Sequence, residues 1–134
     1  MEIKVSTKNG RVPITIMHID GDIDTATSKL VHAKAEDLIK SGARYILVDL
    51  AHCPYMSSAS LRALHMIFKE LNAIHPDATL SENEIAKGIS DGTYKSPYLK
   101  LANVSNETKM VFKESGFDMF LEFYDDVGKA TAAF

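Results

Sequence analysis

The sequence predicts an α/β fold, in which a β-sheet carries helices, and three observations support this prediction. Residues 3–6 and 12–19 alternate or run apolar around Asn9-Gly10, the strongest short signal for a β-hairpin. Residues 46–50 are apolar except for Asp49, which is typical of a strand covered on both faces. Helical spacing of apolar residues occurs on both sides of this strand. Such alternation of helix, strand and helix with short links indicates a sheet with helices packed on it.

Length and composition bound the possible classes of protein. The 134 residues suit one domain, and 46% hydrophobic with 25% charged residues is typical of a folded soluble protein. A net charge of −3 without a basic stripe argues against nucleic-acid binding. No apolar run is long enough to cross a bilayer, and the first residues do not resemble a secretory signal. We therefore expect a cytoplasmic protein, with the single Cys53 reduced and buried at a strand end.

The segment that follows the hairpin predicts the first helix. Residues 21–27 are rich in turn formers and in residues that cap helices. A helix is expected over about residues 28–40, ending at Gly42, where a left-handed backbone would terminate it. The residues expected on its inward face are Leu30, Val31, Ala33, Ala35 and Leu38.

The central strand leads through a turn that is rich in serine into the second helix. Pro54 lacks a backbone N–H and restricts the residue before it, so the strand should end by Tyr55. Serine is a preferred N-cap, so among Ser57, Ser58 and Ser60 we expect one hydroxyl to cap the helix and another to face solvent. The apolar positions of the helix are Leu61, Leu64, Ile67, Phe68 and Leu71.

The remaining chain begins with an unusually long stretch. Residues 75–97 contain two prolines and two glycines and predict a loop, in which Glu84 is placed to close a capping box over one helical turn. A strand is predicted over 98–104, with Leu99 and Leu101 on one face, and a helix capped by Ser105 and ended by Gly116. An extended segment over 117–124 and a helix over 127–134 complete the prediction.

The pattern of chemistry-bearing residues gives little support for an enzyme. The five histidines are scattered, and none has the two-histidine spacing of a metal site on a helix. Ser57-Ser58 lacks the flanking glycines of a nucleophile elbow, and there is no glycine-rich phosphate loop. We therefore predict no catalysis, no metal and no cofactor.

Three motifs together resemble the STAS domain, the family of bacterial anti-sigma factor antagonists and of the cytoplasmic domains of sulfate transporters. They are HIDGDIDTAT at 18–27, the strand 46–50 with YMSSASL at 55–61, and residues 116–126 near the C-terminus. The resemblance implies a STAS fold, a central mixed sheet of about four to five strands with helices mainly on one face. The resemblance covers nearly the whole chain except 75–97, and it implies a single STAS domain over 1–134 with 75–97 as an insertion loop outside the usual family pattern.

The resemblance also implies a phosphorylation site at the serine turn. The serine that a partner kinase modifies in this family corresponds to Ser58, with Ser57 as the less favoured acceptor. The sequence departs from the family around it, with Ser57 for the usual aspartate, Ala59 for serine or threonine, and Ser60 for glycine. The residues expected to contact a partner are Asp22, Asp24, Thr25, Ser57, Ser58, Ser60 and Arg62.

By this resemblance the chain acts by binding. It would antagonise an anti-sigma factor of the serine kinase type and be released when Ser58 is phosphorylated; ATP would belong to the partner. A phosphate is compatible with a helix N-terminus, whereas a partner packed on the turn would have to desolvate a dianion. The alternative is a STAS scaffold subunit of a sensory or membrane-associated complex without phosphorylation. A homodimer remains open in both cases.

Overall fold

In the computed structural model, which describes residues 1–75, 82–91 and 95–134, five strands form one mixed sheet. The strands are β1 (Glu2–Asn9), β2 (Pro13–Asp20), β3 (Ile46–His52), β4 (Leu99–Ala102) and β5 (Glu122–Tyr124). They lie in the order β1-β2-β3-β4-β5, with β1 antiparallel to β2 and all other neighbours parallel. The predicted hairpin and the mixed α/β sheet are thus confirmed.

Helices cover the two faces of the sheet unequally. They are α1 (Thr25–Lys40), α2 (Ser58–Ile74), α3 (Glu82–Asp91), α4 (Asn106–Ser115) and α5 (Val127–Ala132), with a 3-10 turn at Phe117–Met119. The main core holds buried residues of α1, α2 and α4 against Met17 and Val48. A smaller core on the opposite face packs α5 against Ile14, Ile16 and Leu47. The prediction that helices lie mainly on one face is therefore confirmed.

Helix α1 differs from its prediction at its start and in the face that it buries. It begins at Thr25 because Asp24 closes a capping box: its Oδ1 accepts hydrogen bonds from the N–H groups of Ala26 and Thr27, at 3.0 and 2.9 Å. The buried positions are Ser28, Val31, Ala35 and Ile39. Leu30 is 55% exposed and Ala33 is exposed, so their predicted inward orientation was wrong. Ser28 and Ile39 complete a stripe at three- and four-residue spacing that Leu30 and Ala33 do not share.

The insertion contains a helix where a loop was predicted. Helix α3 has ten residues, and its Ile85 and Ile89, one turn apart, pack against the main core. These two partly buried residues form one apolar stripe on the helix, and the turn-forming residues around it hid this pattern in the sequence. The capping box expected for Glu84 involves Ser81, which lies outside the described residues.

The C-terminal elements follow the prediction with shorter bounds. Ser105 Oγ caps α4 by accepting from the Thr108 N–H at 3.1 Å, and Gly116 ends it in a left-handed conformation with φ of 81°. Strand β4 has four residues, and the segment predicted as extended begins with the 3-10 turn before β5. Leu99 and Leu101 share the main core as predicted.

Candidate functional site

A short parallel bridge joins the β2–α1 loop to the β3–α2 loop. The N–H of Ile23 donates to the carbonyl of Tyr55 at 2.9 Å, and the N–H of Ser57 donates to the carbonyl of Ile23 at 2.8 Å. The side chains of Ile23 and Met56 are both buried. The bridge brings the segment with Asp22, Asp24 and Thr25 to the same end of the sheet as Ser57 and Ser58. Residues more than thirty positions apart thus form one surface.

The serines of the turn occupy three different environments. Ser58 is the first residue of α2 and is exposed, as expected for a hydroxyl that faces solvent. Ser57 is the N-cap residue by its backbone, but its Oγ is buried, makes no capping bond and has no partner among the described residues. Ser60 is 1% exposed and donates to the carbonyl of Ser57. The predicted side-chain cap of α2 was therefore wrong, and Ser60 is closed to a partner in this conformation.

An open groove of about 400 Å³ runs between α1 and α2 beside Ser58. Its walls include Thr25, Lys29 and His32 from α1, and Ser58, Arg62 and Met66 from α2. Thr25, Ser58 and Arg62 were predicted from the sequence, whereas Lys29, His32 and Met66 were not. Met66 could have been identified from its four-residue spacing with Ser58 and Arg62, which places the three side chains in one row along a helix.

Charges of both signs surround the exposed serine. Lys29 and Arg62 bring cations into the groove, while Asp22 and Asp24 are exposed on the bridged loop. The hydrogen bonds from Thr27 and Ala26 lower the pKa of the Asp24 carboxyl. The side chain of Asp24 is therefore engaged in capping α1. Asp22 is exposed and does not take part in this cap.

Exposed apolar side chains lie near the same turn. Tyr55, directly before Met56 of the bridge, is 55% exposed, and Met66 in the groove is 42% exposed. Single large apolar side chains at the surface are common, and here one lies at the turn and the other lines the groove, so both add apolar area to this surface. Ser58 itself remains uncovered by the described part of the insertion. Among the described residues, nothing covers Ser58 or closes the groove.

A second polar constellation lies on the opposite face of the sheet. Ser6 Oγ lies 2.8 Å from His18 Nε2, and His18 Nδ1 lies 2.8 Å from Asp49 Oδ2. Asn103 Nδ2 and the Ala51 N–H donate to Asp49 Oδ1, at 2.8 and 3.1 Å. The connectivity matches a serine–histidine–aspartate triad, but Ser6 lies on the exposed edge strand β1 and not on a strained strand–helix turn. The network links strands β1, β2 and β3. In the sequence, its one indication was Asp49 within the apolar run of β3.

Comparison with known proteins supports the fold. The model of the STAS domain matches residues 4–82, which is more than half of the chain. The search of curated proteins found no match to this chain. Among the described residues, the helices are too short or too polar to span a membrane.

Solved structures with the same fold have low sequence identity. An anti-sigma factor antagonist from Mycobacterium paratuberculosis is 13% identical, with a TM-score of 0.67 over 98% of this chain and 93% of that one. The unphosphorylated form of the anti-sigma factor antagonist SpoIIAA is 15% identical, with a TM-score of 0.60 over 96% and 93%. Bacillus SpoIIAA in its phosphorylated form is 16% identical, with a TM-score of 0.61 over 96% of both chains. With its family model and its five-stranded mixed sheet, the chain belongs to the STAS domain family.

Proposed function

We propose that this protein is an anti-sigma factor antagonist that binds an anti-sigma factor of the serine kinase class through the serine turn and the adjoining groove. The observation that carries the proposal is the exposed Ser58 at the start of α2, on a surface assembled from two bridged loops. The similar folds of proteins described as anti-sigma factor antagonists support it. The function is binding, without catalysis by this chain.

The surface suits a protein partner in both shape and composition. Exposed Tyr55 and Met66 supply apolar area, and Arg62 and Lys29 supply charge around a concave centre. The backbone hydrogen bonds of Ile23 hold the two loops in one arrangement before binding. Such preorganisation reduces the entropy that association must overcome.

Phosphorylation of Ser58 would switch this surface. The partner kinase would transfer the γ-phosphoryl group of ATP to Ser58 Oγ, which loses its proton as the new O–P bond forms. The α2 N-terminus, left without a side-chain cap, and Arg62 one turn further on favour an anion at this position. The domain would stay folded, while a partner packed on the turn would meet a charge of about −1.5 to −2. We propose that the unmodified chain binds and the phosphorylated chain is released.

A second candidate function is that of a scaffold subunit in a sensory or membrane-associated complex, without phosphorylation. The environment of Ser57 favours it, because a buried hydroxyl without a partner among the described residues replaces the acid usual in the sigma-regulating members. Self-association into a homodimer is compatible with either function. Under both functions the protein would lie in the cytoplasm, and under the first the partner kinase and its ATP would be found there.

The test is mass spectrometry of the protein recovered from growing and from starved cells, combined with affinity capture. We expect one phosphate on Ser58 that varies with condition, and capture of an anti-sigma kinase by the wild type but not by Ser58→Glu. Thr7→Glu is the matched control, since it makes the same charge change on the exposed strand β1 and should leave capture intact. Ser58 unmodified in all conditions, with equal capture by both variants, would reject the switch and favour the scaffold.

A further inference from the structure

Three side chains with metal-ligand atoms meet between α1 and α2, outside the serine turn, and one of them, His32, also lines the groove. His32 Nε2 lies 2.7 Å from Glu70 Oε1 and 3.9 Å from Glu36 Oε2. The ligand atoms of all three residues lie within 4.8 Å of one another. The histidine pattern alone predicted no metal site, because two of the three ligands are acids and one of these lies on another helix.

The helices hold these side chains in place. His32 and Glu36 are four residues apart and therefore lie on one face of α1. Helices α1 and α2 pack side by side, starting from the bridged loops, so Glu70 on α2 lies opposite them. The side chains of His32, Glu36 and Glu70 are 20%, 42% and 33% exposed. They are packed enough to be ordered, and they leave access for an ion from solvent.

We propose that His32, Glu36 and Glu70 form a zinc site. Zinc takes imidazole nitrogen and carboxylate oxygen at about 2.0–2.2 Å, which puts neighbouring tetrahedral ligand atoms about 3.3 Å apart. The separations of 2.7 and 3.9 Å from His32 bracket this value and all the ligand atoms lie within 4.8 Å of one another, so side-chain rotations would bring them to one ion. Three protein ligands leave a fourth position for water or a partner atom. The imidazole ligand disfavours magnesium and calcium, which prefer oxygen.

The local charge also favours a dication. Two carboxylates lie beside an imidazole, and Lys40 Nζ, 3.2 Å from Glu36 Oε1, pairs with one of them. Zinc would replace the contact between His32 and Glu70 and compete with Lys40 for Glu36. Because the ligands come from two helices, zinc would bind the folded chain better than the unfolded one.

Zinc titration of the full chain, freed of any histidine tag, tests the site by isothermal titration calorimetry. We expect one equivalent to bind, and His32→Gln and Glu70→Gln to weaken binding at least tenfold. Zinc should also raise the melting temperature of the wild type and not of these variants. His52→Gln is the matched control, because it removes an exposed histidine outside the cluster and should bind zinc like the wild type. Lys40→Gln should bind at least as tightly, since it frees Glu36.

A measurement without substitution guards against variants that lose stability. In the wild type, the resonance of His32 Nε2 in long-range proton–nitrogen NMR spectra should move on addition of one equivalent of zinc, while that of His52 stays in place. Absence of zinc uptake, equal uptake by His32→Gln and Glu70→Gln, or an unmoved His32 resonance would overturn the site. The zinc site does not rest on the proposed function. Although His32 also lines the groove, zinc binding is measured on the isolated chain, so its outcome is separate from that of partner capture.

Discussion

His18 and Asp49 lie on the neighbouring parallel strands β2 and β3, and His18 Nδ1 donates a hydrogen bond to Asp49 Oδ2 over 2.8 Å. The other oxygen of this carboxylate accepts from Asn103 after β4 and from the Ala51 N–H. Asp49 is 9% exposed, and its hydrogen-bond partners among the described residues are all donors, which offsets the cost of burying the acid. One carboxylate thereby joins β2, β3 and the end of β4.

Removal of this carboxylate should destabilise the fold strongly. Asp49→Ala leaves the donors of His18, Asn103 and Ala51 without their acceptor, so we expect the free energy of unfolding to fall by about 2–3 kcal/mol. Urea denaturation measures the change. Asp20→Ala, which removes an exposed acid at the end of β2, is the control and should stay within about 0.5 kcal/mol of the wild type. Equal effects of the two substitutions would contradict the role of the network.

The same residue predicts part of the response to acid. Burial opposes ionisation of Asp49, but hydrogen bonds from Asn103 and His18 outweigh it and hold the pKa of the carboxyl below its usual value of 3.8. In acid the unfolded chain therefore takes up this proton before the folded one does. The contribution of Asp49 to stability is complete above pH 3.8 and is lost as the pH falls through the lowered pKa.

Denaturation at a series of pH values between about 5 and 2 tests this expectation. Asp49→Asn cannot ionise, so its stability should fall less steeply with acid than that of the wild type. Glu122, whose pKa is also lowered, is present in both proteins and cancels in the comparison. Parallel pH curves would show that Asp49 has the same pKa in the folded and unfolded chain.

Two serines at helix starts should respond differently to the same substitution. Ser105 Oγ accepts from the Thr108 N–H at 3.1 Å, so Ser105→Ala should lower the free energy of unfolding by about 1 kcal/mol. Ser57 Oγ makes no capping bond, so Ser57→Ala should change it by less than about 0.5 kcal/mol. Thermal or urea denaturation measures both. A loss at Ser57 as large as that at Ser105 would mean that the Ser57 hydroxyl has a partner.

Lys100 is a buried cation on the sheet face that α5 covers. Its side chain is 4% exposed, its Nζ lies 2.9 Å from Glu122 Oε1, and the rings of Tyr124 and Phe134 are 5.8 and 5.5 Å from it. Lys100→Met keeps the packing of the stem, and Glu122, 39% exposed, can turn to water. We therefore expect a loss of less than about 1.5 kcal/mol for Lys100→Met and about 3 kcal/mol for Lys100→Ala. Equal losses in urea denaturation would assign the stability to the charge and not to the packing.

The groove predicts which exposed methionine matters for partner binding. If the chain binds an anti-sigma partner through the groove as proposed, Met66→Asp should weaken capture of that partner at least tenfold, because it puts a charge on an apolar position of the groove that Ser58 also lines. Met110→Asp on α4, where Met110 is 62% exposed, is the matched control and should bind normally. Both variants should keep the circular dichroism spectrum of the wild type. Equal binding by both would move the contact surface away from the groove.

The fold was predictable where a residue pattern repeats over several positions. Asn9-Gly10 predicted the hairpin, and the spacing of Leu61, Leu64 and Phe68 predicted the buried face of α2. Leu30 was assigned to the wrong face, because several apolar residues of α1 are compatible with more than one stripe and only packing decides among them. Helix α3 was predicted only as one helical turn within a loop, because Ile85 and Ile89 are the only large apolar residues among its ten.

The candidate site was predictable only within each local motif. Ser58, Thr25 and Arg62 follow from the motifs, but the approach of Lys29 to them depends on the packing of α1 on α2. Likewise Asp49 and Lys100 look out of place in strands until their partners His18, Asn103 and Glu122 are brought to them by pairing of distant segments. Such partners lie 22 to 54 residues away, beyond the reach of a local pattern.

The order of the strands in the sheet is also their order along the chain. During synthesis each new strand therefore finds its neighbour already made, and the sheet can extend by one strand at a time without threading. The hairpin comes first and each parallel strand after it arrives with its helix. The insertion between α2 and β4 delays only one of these additions, and a longer connection there adds little entropy cost to closure. A longer insertion between α2 and β4 is thus compatible with assembly of the nascent chain from its N-terminal end.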